Sequence, residues 1–173
     1  MRHFANRVIR AVKLDPTLYE EVEHDKTAMG QAIGVIVLSS LAAGIGTLEM
    51  GLKGMWINAI GAIIAWYIWA YLTYFIGTRF IAEPQTEADH GQLLRTLGFA
   101  SAPGLLRVLG IVPGIREFVF SLTSIWMLVA MVIAVRQALD YTSTLRAVGV
   151  CFLGWIVQAI ILLGIYVFIR GAA

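Results

Sequence analysis

Charged residues are scarce in this sequence, and their scarcity excludes several classes of protein. Of 173 residues, 14% are charged and 59% are hydrophobic. An ordinary soluble domain carries about 25% charged residues. The formal net charge is only +2, and the arginines are scattered, so the chain has no basic patch of the kind that binds nucleic acid. We therefore expect no nucleic-acid partner.

Cysteine and the known catalytic motifs are scarce as well. The one cysteine, Cys151, lies in an apolar stretch, so an internal disulfide is excluded and a small packing role is expected. The chain has no phosphate-binding Walker loop, no HExxH zinc motif and no nucleophile elbow. We expect no enzymatic activity and no cofactor.

A metal site is not expected from the sequence either. The best candidate is the run EEVEHD at 20–25, where Glu20 and His24 are four residues apart and share one helical face. Two ligands make a weak site, because structural and catalytic metal centres use three or four. The run is better interpreted as a solvated, charged helix.

Long uncharged runs are abundant. Four of them, with 21, 25, 18 and 23 residues, cover 28–48, 54–78, 118–135 and 147–169. A helix that crosses a bilayer needs about 20 apolar residues. The segment 92–113 is a fifth candidate. The sequence predicts an all-α, polytopic membrane helical bundle with five transmembrane helices and a broken third span. The alternative is four spans, with 92–113 as a re-entrant piece.

Residues 1–26 form a segment that does not span, before a transmembrane domain at 27–173. We expect no cleavable signal peptide in it, because its first 25 residues carry charges throughout. Its start predicts a basic amphipathic helix that lies on an anionic membrane surface. The apolar face would contain Phe4, Val8, Ile9 and Val12, and the basic residues are Arg2, Arg7, Arg10 and Lys13. The pair Asp15–Pro16 predicts the start of a second helix.

The positive-inside rule gives an expected orientation. With five spans and a cytoplasmic amino terminus, nine Lys and Arg residues fall on the inner side and four on the outer side. We expect a multi-pass protein whose amino terminus is cytoplasmic.

Arg107 lies inside the candidate third span. If Arg95 is at the inner headgroups, Arg107 is about 18 Å further along a helix, within the outer half of a core about 30 Å thick. Pro103 should break this helix. Either the broken helix lets Arg107 reach the outer headgroups, or Arg107 is buried and pairs with Glu49 or Glu117.

Other polar residues of the apolar segments have similar alternatives. Arg136 and Asp140 are four residues apart and could pair in an interfacial network, near Arg146. Tyr67 and Tyr71 share a helical face; Tyr67 is expected to pack inward, and the alternative is the lining of a permeation path. Gln158 is expected to hydrogen-bond between helices.

Three local runs give the chain a resemblance to a known family. They are IGTRF at 76–80, LLRTLGFASAPGLL at 93–106 and AVRQALDYTSTLRAVGV at 134–150. Together with a short amino-terminal segment and five closely spaced apolar segments, they make the chain resemble the bacterial branch of the Yip family. These are five-pass membrane proteins related to the Ypt/Rab-interacting proteins of eukaryotes.

The resemblance implies a bacterial inner-membrane protein without catalysis that forms homo-oligomers. In eukaryotes the family is linked to Rab binding, vesicle trafficking and membrane shaping. This chain lacks the long hydrophilic amino-terminal region of those members, so trafficking is not carried over. We expect a protein that organises or remodels the membrane, with lipids and a membrane or cytoplasmic protein as partners. The alternative is a small ion channel or transporter that uses charged and polar residues inside the bundle.

Overall fold

The fold is known from a computed structural model, which describes residues 2–47 and 51–171. These residues form helices and connecting loops, without a strand among them. The α-helices are α1 (Arg2–Val12), α2 (Pro16–His24), α3 (Met29–Thr47), α4 (Gly51–Arg79), α5 (His90–Ala100), α6 (Arg116–Ala138) and α7 (Thr144–Gly171). Two stretches are 3₁₀-helical, Lys26–Ala28 before α3 and Ala102–Ile111 after α5. The all-α prediction is confirmed.

Four of the helical segments are long and apolar enough to cross a membrane. They are Lys26–Gly46, Lys53–Arg79, Arg116–Ala138 and Thr144–Ile161. Their surfaces carry many exposed Ile, Leu, Phe and Trp side chains, as expected for helices surrounded by hydrocarbon. The predicted count of five spanning helices is not confirmed, because the fifth candidate does not form one continuous helix.

The fifth candidate is the middle segment, which we define as α5 together with the 3₁₀ stretch Ala102–Ile111. The predicted break is confirmed: α5 ends at Ala100, just before Pro103, which has no amide hydrogen to continue the helix. All residues from 93 to 100 are buried. The segment packs against α3, α4 and α6. Irregular backbone is tolerated at membrane depth only where protein covers it, and this packing supplies the cover.

Glycines permit the close approach of the middle segment to α3. A Cβ on Gly46 would lie 2.1 Å from the carbonyl oxygen of Arg107, and one on Gly98 would lie 2.6 Å from the Cβ of Ala32. The carbonyl of Ser101, at the break, accepts a hydrogen bond of 2.7 Å from the hydroxyl of Ser39. The backbone at the break is thus both covered and hydrogen-bonded by α3.

The amino-terminal helices pack on the bundle instead of lying free. Asp15 caps α2, with its carboxylate accepting from the amide of Thr17, as the Asp15–Pro16 pair predicted. Helix α1 has the predicted apolar face, but Phe4, Val8 and Val12 of that face contact the protein core. Ile9 is the exception and is 55% exposed. Most of the face expected to contact lipid is therefore covered by the protein itself.

Gly98→Ala should destabilise the bundle, because the new Cβ would overlap Ala32 across the contact between α5 and α3. Overpacking of this kind costs about 1–3 kcal/mol, or roughly 2–10 °C in the thermal midpoint of a chain of this size. The measurement is thermal unfolding of the purified protein in detergent.

The matched control is Gly61→Ala in α4, where no atom lies within 4 Å of the added Cβ. That variant should be as stable as the parent, or slightly more stable because alanine favours a helix. Equal stability of the two variants would contradict the close packing of α5 on α3.

Candidate functional site

A cavity of about 350 Å³ lies in the middle of the bundle. Its walls come from α3, α4, α6, α7 and the middle segment, so every long helix contributes. The polar residues that line it are Ser39, Ser40, Asn58, Ser101, Arg107 and Gln158. Three tryptophans, Trp66, Trp69 and Trp155, also line it. A cavity with a few polar groups among apolar walls is the usual form of a small-molecule site.

Arg107 is half-buried at the wall of this cavity and is held by α6. Its Nε donates to the hydroxyl of Thr123 at 3.3 Å, and one Nη donates to the hydroxyl of Ser124 at 3.0 Å. Its guanidinium carbon lies 5.4 Å from the centre of the Phe120 ring, within the range of a cation–π interaction. Both hydroxyls also donate to the carbonyl of Phe120, so the hydrogen of each hydroxyl has an acceptor.

The two carboxylates predicted as partners of Arg107 behave differently. Glu117 is exposed at the start of α6, and no ion pair joins it to Arg107 among the residues that the structure describes. Glu49 lies outside the described residues. Among the described residues, the guanidinium of Arg107 is therefore held by hydroxyls and an aromatic ring.

The remaining polar groups of the cavity are only partly hydrogen-bonded. Asn58 donates to the carbonyl of Ser40 at 3.5 Å, a weak contact, and Trp66 donates to the carbonyl of Leu94 at 3.1 Å. The indole nitrogen of Trp69 is buried and has no hydrogen-bond partner within residues 2–47 and 51–171. Two residues predicted from the sequence, Gln158 and Arg107, therefore line the same cavity. Asn58 and Trp69, which the sequence analysis did not single out, line it as well. Asn58 carried a signal in the sequence, since an amide within a span is uncommon.

Arg95 was expected at the inner headgroups, but the structure buries its side chain within the protein. It is 5% exposed, and its guanidinium donates to the carbonyls of Val22 (2.9 Å) and Glu23. These are among the last carbonyls of α2, where a helix has unpaired acceptors and the negative end of its dipole. Arg95 therefore holds α2 against α5.

Tyr67 was expected to pack inward, but the structure places Tyr67 and Tyr71 on an exposed face of α4, each more than half exposed. Their rings surround His90, the first residue of α5, with centroid distances of 4.9 and 5.8 Å. Both ring nitrogens of His90 are buried, and no residue in the described part of the chain hydrogen-bonds to them. These tyrosines do not line the cavity.

The predicted pair of Arg136 with Asp140 does not form in the described structure. Helix α6 ends at Ala138, and Asp140 has a φ of 52°, so the helical spacing of four residues is interrupted. The amide of Tyr141 donates to the carbonyl of Arg136, as in a Schellman helix end. The Arg136 guanidinium instead donates to the carbonyls of Tyr141 and Thr142, which fixes the corner between α6 and α7.

Glu83, which the sequence did not single out, joins this corner to the loop before α5. Its buried carboxylate accepts from the amide (3.0 Å) and the hydroxyl (2.8 Å) of Thr142, and it pairs with Arg146 at 3.2 Å. The hydrogen bonds from Thr142 lower the pKa of Glu83 to about 2. Nothing in the loop sequence distinguishes Glu83 from Glu87, because the burial of Glu83 depends on the corner between α6 and α7, which is distant in the sequence.

A family model described as the Yip1 domain matches residues 19–166, from within α2 to within α7. The chain belongs to the Yip1 domain family. No curated protein and no solved structure matches. With four helices able to cross a membrane, this Yip1-domain chain is a multi-pass membrane protein.

Glu83→Gln should destabilise the protein at neutral pH and weaken its sensitivity to acid. The folded-state pKa lies below the usual value of 4.5, so the charged carboxylate stabilises the fold above about pH 4.5, and this stability is lost as the pH falls toward 2. The variant should show a lower thermal midpoint at pH 7 and a smaller difference from the parent near pH 3. Glu87→Gln, in the exposed part of the same loop, is the control and should match the parent at both pH values.

Proposed function

We propose that this Yip1-domain protein acts without catalysis, self-associates, and organises or remodels the membrane or its protein partners. We further propose that α1 inserts shallowly into the inner leaflet, with the amino terminus in the cytoplasm of a bacterial cell. One observation carries the proposal: the turn between α1 and α2 lies against the membrane-spanning helix α6.

Leu14 lies in the turn between the two helices. Leu14 borders an apolar hollow with Leu122, Ile125, Trp126 and Val129 of α6. Leu122, Ile125 and Val129 are exposed large side chains on a helix long enough to cross the membrane. A turn placed there would lie in the hydrocarbon of one leaflet.

Insertion into one leaflet has a mechanical effect. A short helix that occupies area in one leaflet only expands that leaflet relative to the other, and this expansion favours curvature. The exposed face of α1 contains Ile9 between Asn6 and Lys13, so an apolar side chain is available for shallow insertion. Self-association would concentrate many such helices in one patch of membrane.

The charge of the lipid headgroups should affect the membrane binding of α1 less than the sequence predicted. Arg7 pairs with Glu21 (2.8 Å) and Asp25 (2.7 Å), and Arg10 pairs with Asp15 and Glu21. Hydrogen bonds from Thr27 and from Arg7 lower the pKa of Asp25 to about 2, which keeps this network charged at physiological pH. Two of the basic residues expected to face anionic lipid are therefore neutralised inside the protein.

Ile9→Glu should reduce the remodelling of reconstituted vesicles, because a carboxylate on the exposed face opposes insertion into hydrocarbon. The measurement is vesicle diameter and tubule frequency by electron microscopy at a fixed protein-to-lipid ratio, with chemical cross-linking for self-association. Asn6→Glu adds the same charge to the same helix without removing an apolar side chain, and it should behave like the parent. Equal remodelling by both variants would reject the role of α1.

A second candidate is a small channel or transporter, and the central cavity is the observation that favours it. Polar groups inside a bundle mark ion and substrate paths in membrane proteins. Arg107 would attract an anion, since hydroxyls and a ring, rather than a carboxylate, hold its guanidinium among the described residues.

Arg107→Ala should then abolish anion flux into proteoliposomes, and Arg107→Lys should retain part of it by keeping the charge. Arg79→Ala, at the exposed end of α4, is the matched control and should leave the flux unchanged. The measurement is uptake of a panel of inorganic and organic anions. If the parent protein shows no flux with any of them, the second candidate is excluded.

A further inference from the structure

We infer that the carboxyl-terminal turn of α2 binds a divalent transition-metal ion such as Zn²⁺, through Glu20, Glu23 and His24. One ligand atom from each of the three side chains lies within 4.8 Å of the others. Zinc is bound by imidazole nitrogen and carboxylate oxygen at about 2.0–2.2 Å, which places tetrahedral ligands about 3.4 Å apart. Glu20 and His24 are exposed, so they can make the small approach that binding requires.

Glu23 is the residue that distinguishes this group from a solvated acidic helix. Its side chain is 1% exposed, and its Oε2 has no hydrogen-bond partner among the residues that the structure describes. A buried carboxylate oxygen without a donor is costly, and a metal ion at this place would satisfy it.

The histidine is already in the tautomer that a metal needs. Its Nδ1 lies 2.9 Å from the carbonyl oxygen of Glu20. A carbonyl only accepts, so Nδ1 carries the hydrogen and the lone pair of neutral His24 is on Nε2. Metal-bound histidines characteristically donate their other ring nitrogen to a backbone carbonyl or a carboxylate in this way.

The electrostatic environment also favours a dication. Asp140, exposed at the corner after α6, interacts electrostatically with both Glu23 and His24. The three ligands lie in the last two turns of α2, at the negative end of the helix dipole. Arg95, which donates to the carbonyl of Glu23, is the cation that faces these acids from α5.

The site does not depend on the proposed membrane role, because its three ligands all belong to α2.

Zinc titration of the full-length protein tests the inference. The untagged protein, purified in detergent and treated with EDTA, is titrated with ZnCl₂ by calorimetry and by thermal unfolding. We expect one zinc ion per chain and a higher thermal midpoint, since a ligand of the folded state stabilises it. Co²⁺ in place of zinc should give the visible absorption of a site with mixed nitrogen and oxygen ligands.

Glu23→Gln and His24→Ala should each weaken zinc binding at least ten-fold, as expected for loss of a ligand. Glu23→Gln should fold at least as well as the parent without metal, because it removes a buried ionisable group. Glu87→Gln and His3→Ala change the same residue types at exposed positions and should bind zinc like the parent. The inference is overturned if the parent binds no zinc, or if stoichiometric binding survives in both ligand variants.

Discussion

The packing of the middle segment against α3 is the contact on which the rest of the bundle depends. A broken helix cannot remain in hydrocarbon unless neighbouring protein covers its backbone and supplies hydrogen-bond partners. Gly46 and Gly98 allow the two backbones to approach closely, and Ser39 supplies a donor to the carbonyl at the break. Because the segment is covered in this way, Arg107 and Ser101 are held at the wall of a central cavity and not in lipid.

The long helices and the break were predictable from the sequence because they depend on local chemistry. Runs of about 20 uncharged residues identify spanning helices whatever surrounds them, and Pro103 interrupts a helix by lacking an amide hydrogen. Asp15 likewise caps α2 through an atom two residues away. These features need no knowledge of the tertiary structure.

The partners of the charged residues were not predictable, because they come from distant parts of the chain. Arg95 is held by carbonyls of α2 more than 70 residues earlier, and Glu83 by Thr142 nearly 60 residues later. Asp140 was expected on a helix but lies in a left-handed turn. The sequence shows where the charged side chains are along the chain. The groups to which they hydrogen-bond depend on the packing of the whole bundle.

The broken middle segment also affects how the chain can be inserted during synthesis. α5 has 11 residues and is followed by 3₁₀ turns, so it lacks the length of a helix that partitions into lipid by itself. α3, which covers it on one side, is made earlier, whereas α6 is made afterwards. We therefore expect the middle segment to reach its final place in the bundle only after α6 has been made.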